Sequence, residues 1–168
     1  MPNIRELRIQ DIAAMYEWMT DFEVVSSFTI GRFPISRRGI EEFIEKSWMD
    51  NENIHFAIVD DADQYVGTVS LKNINLIDSN AEYAIVLRKN CWGKGYSKYA
   101  TDLILEHAFR KMNLHKIFLQ VLSCNTRAIN FYEKYGFIRE GVFNEHIFLN
   151  GKYYDLIWYS IINNGEGK

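Results

Sequence analysis

Cysteine is scarce: the 168 residues hold two, Cys91 and Cys124. That is too few for a disulfide scaffold, and nothing near them has zinc-site spacing. The histidines, His55, His107, His115 and His146, lack metal-ligand spacing too, so no metal is expected. No apolar run approaches membrane-spanning length. Met1-Pro2-Asn3-Ile4-Arg5 does not read as a signal peptide. The expectation is a cytoplasmic protein with no membrane partner. There is no excess of basic charge either; a net charge of -3 gives no reason to expect nucleic acid. Repeats, low-complexity segments and linkers are absent, so residues 1–162 are expected to form one domain, with 163–168 as a frayed tail.

What is present is an ordinary globular composition, 48% hydrophobic and 24% charged, with many rings: ten Tyr, eleven Phe and four Trp. Rings in that number fill a core first and line a small-molecule cleft second.

Periodicity orders the elements. Asn3 to Ile9 reads as a strand. Asp11 stands where it would cap a helix with Ile12, Met15, Tyr16 and Met19 on one side. Phe22 to Ile35 has no period and reads as a loop; Ser36 caps a second helix. Ile54 to Val59 and Tyr65 to Lys72 form a hairpin, and Ala81 to Leu87 is a third strand in this group. A helix over Tyr96 to Met112 has Tyr99, Ala100, Leu103, Ile104 and His107 on its apolar face. Lys116 to Val121 is a strand. Asn125 caps a helix that ends at Gly136. Ile138 to Leu149 and Tyr153 to Ile162 are strands joined at Asn150-Gly151. The fold class is α+β, or mixed α/β: strand-helix-strand in the middle predicts two parallel strands, and the other strands pair antiparallel.

The stretch Arg88 to Tyr96 joins a strand to a helix through Gly93-Lys94-Gly95. Such a turn presents unpartnered N–H groups at a helix start, a ready anion site. It is not a P-loop, because Gly95 follows Gly93-Lys94 and no glycine stands five before Gly93. It is not the dinucleotide fingerprint, whose last glycine would be Lys98. Alone, the turn is equally consistent with a tight connection that binds nothing.

A second stretch, Asn125 to Phe137, has the pattern N-x-x-A-x-x-x-Y-x-x-x-G-F. It follows the glycine turn by about thirty residues. The two motifs in this order, with the element order of the whole chain, resemble the GNAT superfamily of acetyl-CoA-dependent N-acetyltransferases. Trp92-Gly93-Lys94-Gly95-Tyr96, Asn113 to Ile117 and Phe148 to Asp155 resemble its branch of ribosomal-protein N-terminal and spermidine acetyltransferases. Asn90 departs from the family's usual Gln or Arg.

The resemblance implies a central, mostly antiparallel sheet with a splayed parallel strand pair and helices on both faces. It implies acetyl-CoA as cosubstrate. Ile85, Val86 and Leu87 would offer backbone groups to the pantetheine arm. Trp92, Gly93, Lys94, Gly95, Tyr96, Ser97 and Lys98 would wrap the pyrophosphate. Asn125, Ala128, Asn130 and Lys134 would contact the cosubstrate from the second motif. Tyr132 would sit beside the thioester sulfur as proton donor, and Glu82 would act as base, through water. The acceptor would be a small-molecule or peptide primary amine: a polyamine, an amino sugar or antibiotic, or a protein N-terminus. Its site would be built from about Trp18 to Arg38 and Asn144 to Tyr154, and pairing into a homodimer is a family habit. Asp21 and Glu23 suit a polyamine; Arg32, Arg37 and Arg38 suit an acceptor with a carboxylate or phosphate.

Plainer readings stand beside these. Tyr132 lies on the apolar side of its helix, as a core tyrosine would. Glu82 suits pairing with a neighbouring basic residue. Asn125 is first a helix cap. A cysteine nucleophile at Cys91 or Cys124 would allow a ping-pong route, but neither has a histidine near it in sequence. A non-catalytic acyl-CoA-binding module would keep the glycine turn without needing Tyr132 or Glu82, and a plain nucleotide-binding domain is a weaker third reading.

Overall fold

The computed structural model describes residues 3–26, 28 and 34–165. The strands are β1 (Asn3–Glu6), β2 (Ile54–Val59), β3 (Tyr65–Asn75), β4 (Asn80–Leu87), β5 (Lys116–Leu122), β6 (Ile138–Leu149) and β7 (Lys152–Ile162). The helices are α1 (Ile12–Thr20), α2 (Phe22–Val25), α3 (Arg37–Ser47), α4 (Tyr96–Glu106) and α5 (Thr126–Tyr135). The strands form one sheet in the order β1-β2-β3-β4-β5-β7-β6. Every neighbouring pair is antiparallel except β4–β5.

Strand alternation decides which helices go where. Ala81, Tyr83 and Leu87 of β4 enter a core under α4 and α5, with Ala100, Ile104, Ile117 and Tyr159. The opposite face packs against α1 and α3 through Met15, Trp18, Ile40, Ile44 and Ala57. Burying an aliphatic side chain as fully as Ile44 or Ile104 contributes about 1.5–3 kcal/mol over leaving it exposed. The sheet is thus covered by helices on both faces, as expected.

The parallel pair is the unusual feature. β4 and β5 pair only at Asn80–Lys116, Ala81–Ile117 and Glu82–Phe118. Beyond that, β4 follows β3 as far as Leu87, while β5 follows β7 as far as Leu122. Each strand is held on its far side and the facing edges part, which leaves a wedge in the middle of the sheet.

Several elements differ from expectation for identifiable reasons. Asp11 does not cap α1 with its side chain. Its buried carboxylate accepts instead from Arg5 Nη1 and Nη2, at 2.8 and 2.9 Å, and from the Arg8 N–H. A cation with this geometry outcompetes a helix N–H. The aperiodic stretch after Asp21 contains α2, whose first turn is capped where Asp21 Oδ1 accepts from the Glu23 N–H. Gly31 and Arg32 of that stretch lie outside the described residues. α4 passes at His107 into a wider π-helical turn to Lys111, and His107 is half-buried against Phe56. The caps at Ser36 and Asn125 form as expected, and Asn150 and Gly151 both take positive φ in the β6–β7 turn.

Candidate active site

The wedge opens into a cleft of about 780 Å³ lined from both sides of the sheet. One wall holds the start of α4 and the inner side of α5; the other holds α1, α3 and the outer face of β2–β4.

On the first wall the glycine turn is set by backbone conformation. Gly93 and Gly95 have φ of 73° and 85°, and a Cβ added at either would meet nothing within 4 Å. The requirement is therefore the left-handed backbone, which glycine adopts without cost. α4 starts directly after Gly95, and no side chain caps it. The helix's first backbone bond runs from the Tyr99 N–H to the Gly95 carbonyl. The N–H groups of Tyr96, Ser97 and Lys98 so lack helical acceptors, and these three residues line the cleft. α5, in contrast, is capped by Asn125, which also lines the cleft.

Ile85, Val86 and Leu87 line the wedge, with Trp92, Gly93 and Ala128 near its mouth. The Trp92 indole N–H donates to the Leu87 carbonyl at 3.1 Å, and the Arg127 guanidinium sits 3.3 Å from the Trp92 ring centre. This pair ties the glycine turn to the start of α5. Lys94, Asn130 and Lys134 are exposed and stand outside the lining.

Tyr132 comes up from α5 into the cleft. Its ring packs among Phe131, Tyr83, Phe137 and Tyr159, with centres 5.5–6.4 Å away. Its hydroxyl has no hydrogen-bond partner among the described residues. Burial pushes the phenol well above the usual tyrosine range, so it keeps its proton at neutral pH. Tyr83 is also buried, but its hydroxyl is tied to Thr101 at 2.7 Å. Of the two, Tyr132 is the one free to give a proton to a ligand.

Glu82 also reaches the cleft, but both carboxylate oxygens are engaged. One accepts from Lys72 Nζ at 2.8 Å, the other from Asn73 Nδ2 at 3.0 Å. His55, on the next strand but one, holds Ser70 Oγ at 2.8 Å through Nδ1, and its ring meets Phe43 at 4.8 Å. Burial lowers the His55 pKa; Asp50 opposes the shift and Lys72 adds to it. The imidazole is therefore neutral at pH 7 and able to accept a proton. The cysteines are placed otherwise. Cys91 is buried and Cys124 exposed, and burial raises both thiols, away from the thiolate a nucleophile needs.

Of the stretches expected around the acceptor, Trp18, Met19, Val24, Phe28 and Ile147 line the cleft. Arg37 lies 4.9 Å over the Tyr16 ring and Arg38 pairs with Glu42, both outside the lining. Met15, Phe43, His55, Ser70 and Lys72 line the cleft without having been singled out for it. The available signal was register: His55 stands opposite Ser70, Ser70 opposite Ala84, and Lys72 opposite Glu82. Residues at those positions share one face of the sheet.

Comparison with known proteins agrees with this geometry. The profile of the acetyltransferase (GNAT) domain matches residues 3–138. A spermidine N(1)-acetyltransferase of Vibrio cholerae is 36% identical over 117 residues, which are 70% of this chain and 68% of that protein. The structure of spermidine N-acetyltransferase from Vibrio cholerae in complex with CoA and spermine is similar with a TM-score of 0.88 at 30% identity, covering 96% of this chain and 95% of that one. A dodecameric structure of the Vibrio cholerae enzyme is similar with a TM-score of 0.83 at 29% identity, covering 99% and 98%. The chain belongs to the GNAT acetyltransferases, enzymes that move an acetyl group from acetyl-CoA to an amine.

Proposed function

We propose that the amine and acetyl-CoA occupy the one cleft together and that transfer is direct. The observation that carries this is the wedge itself: an uncapped helix start and a free, protonated Tyr132 open into the same space as His55 and Glu82. Ile85 to Leu87 would hold the pantetheine arm along the open edge of β4. The N–H groups of Tyr96, Ser97 and Lys98 would hold the pyrophosphate. Asn125 and Ala128 would flank it, and Lys94, Asn130 and Lys134 would act from the exposed rim.

An alkylammonium has a pKa of about 10.4, so the acceptor must lose a proton before it attacks the thioester carbonyl. As the C–N bond forms and the C–S bond breaks, Tyr132 gives its proton to the departing sulfur. Glu82, through water, takes the proton that the ammonium loses before attack, and the second proton, released as the C–N bond forms, restores Tyr132. His55 is a second reading for that step, favoured because its ring is neutral and its Nε2 has no partner among the described residues, whereas Glu82 is held by Lys72 and Asn73. Comparing the pH–rate profiles of Glu82→Gln and His55→Gln separates the two, since only loss of the true acceptor removes the acid limb.

The test of the function is CoA release across an amine panel, with spermidine included because of the relatives' activity, together with amino sugars, aminoglycosides and peptides with free N-termini. Initial-rate lines that intersect when both substrates are varied are expected of a ternary complex. Parallel lines would sink direct transfer. Tight acetyl-CoA binding without turnover of any amine would favour the acyl-CoA-binding module.

Residues 1–162 act in this reading as one catalytic unit, working in the cytoplasm where acetyl-CoA is supplied; cell fractionation tests the location. Self-association is part of it, with a homodimer as the simplest unit. The relative that forms a dodecamer supports it, as do the exposed Phe143, Phe148 and Tyr153 of the β6–β7 hairpin at the end of the sheet. Light scattering that gives the monomer mass of 19.8 kDa at working concentration would remove it.

A further inference from the structure

The acceptor side of the cleft is poor in negative charge. Its wall is made by Met15, Trp18, Met19, Val24, Phe28 and Phe43. Among the described lining residues the one carboxylate is Glu82, and Lys72 and Asn73 already occupy it. Residues 27 and 29–33, outside the described set, are Ser, Thr, Ile, Gly, Arg and Phe, so they add no carboxylate wherever they lie. The acids of α1, α2 and the turn between them stand outside the lining and have other partners: Glu17 pairs with Arg88, Glu23 with Lys89, and Asp21 Oδ1 accepts from the Glu23 N–H that opens α2. Lys72 and Glu82 neutralise each other, so the wall offers no unpaired carboxylate among the described residues.

Such a wall does not fit a chain of ammonium groups. A second cation would leave water without a carboxylate to meet it, which is costly. The rings of Trp18, Phe28 and Phe43 offer cation–π attraction, a weaker partner than an anion for a desolvated charge. The same wall suits methylenes or an aromatic ring, and His55 with Ser70 provides one polar point for the reacting nitrogen.

From this we infer that the acceptor is a primary amine with a single positive charge on an apolar or aromatic body, and not a polycation. This rests on the transferase reading and names its substrate class, in contrast to the spermidine that gives the relatives their name.

The sharpest test compares hexylamine with 1,6-diaminohexane, which differ by one ammonium at equal length. Phenethylamine and spermidine extend the comparison. With acetyl-CoA saturating, hexylamine and phenethylamine are expected to exceed diaminohexane and spermidine in kcat/KM by at least roughly tenfold. Equal or higher values for the polycations would overturn the inference. Met19→Glu, at a half-buried lining position, places a carboxylate in the wall and is expected to raise diaminohexane relative to hexylamine. Met19→Gln is the uncharged control and should move the ratio less than Met19→Glu does. A ratio equally unmoved by Met19→Glu counts against the wall as the discriminating element. Calorimetric binding of the same two amines to the CoA-loaded protein decides the charge preference even without turnover. A protein that prefers hexylamine but acetylates nothing would refute the transferase reading, and with it an acceptor, and keep only the charge preference of the cleft.

Discussion

The two sides of the cleft, proposed above for donor and acceptor, are built from different materials. The donor side is backbone: an open strand edge at Ile85 to Leu87, two glycines at positive φ, and the free N–H groups that open α4. The acceptor side is side chain: Met15, Trp18, Phe43, His55 and Ser70 brought together from four separate elements. A backbone site recognises what every acetyl-CoA has in common and tolerates changes of side chain around it. A side-chain site is redrawn by single substitutions. A chain can therefore share its donor with relatives 30% identical and still select another amine.

The largest effect that would sharpen this division is expected at the meeting point of the two sides. Tyr132→Phe keeps the ring and removes a hydroxyl that no described residue bonds, so folding should be unaffected. Loss of the proton donor is expected to lower kcat by about 10²–10⁴-fold with little change in acetyl-CoA affinity. Stopped turnover with an unchanged melting temperature is the signature to look for; unchanged turnover removes Tyr132 from the chemistry. Tyr83→Phe is the contrasting variant, because it breaks the buried bond to Thr101 and should act on stability.

Next in size is Gly67→Ala. A Cβ there would stand 2.3 Å from the Val86 carbonyl oxygen and 2.6 Å from Leu87 Cδ2, so β3 and β4 would have to move apart. Overpacking of this kind costs about 1–3 kcal/mol. The denaturant midpoint should fall, and with it the geometry of the donor edge. An unchanged midpoint would mean that the close approach does not set the course of β4.

The same division governs what was legible in the sequence. The turn at Gly93 and Gly95, the Asn125 cap and the stop at Gly136 are each fixed by neighbours along the chain, so local chemistry was enough. His55 and Ser70 are fifteen residues apart and meet only through the β2–β3 register. The role of Asp11 turned on competition: a helix N–H and the Arg5 guanidinium both want the carboxylate, and no periodicity shows which wins. α2 is one turn long and so too short to show a period. Lys94, Asn130 and Lys134 fit a motif in one dimension, but in three they stand outside the cleft lining.

A smaller effect is expected from Gly95→Ala, which tests the backbone site alone. The new methyl would meet nothing, so the penalty is conformational, about 1–2 kcal/mol for forcing an L-residue into the left-handed region. If the N–H groups that follow Gly95 hold the pyrophosphate, the KM for acetyl-CoA should rise while that for the amine stays close to its original value. A rise in the amine KM alone would contradict the division of labour.

The smallest effect probes the side-chain half through pH. Burial holds the folded-state pKa of His55 below its usual 6.5, as it does for His107. Between the folded value and 6.5 the unfolded chain binds more protons than the native one, so stability rises with pH across that window. The stability tied to neutral His55 is fully present above 6.5 and is lost as the pH falls through the folded value. Asp50 opposes that shift and Lys72 reinforces it, so the sign depends on the wall staying closed around the ring. The urea midpoint should therefore drop between about pH 7.5 and about pH 5.5, and drop less in His55→Gln. An equal drop in both proteins would assign the acid sensitivity to His107 or to the carboxylates, and would leave His55 accessible to water, where an apolar amine would gain little from the wall.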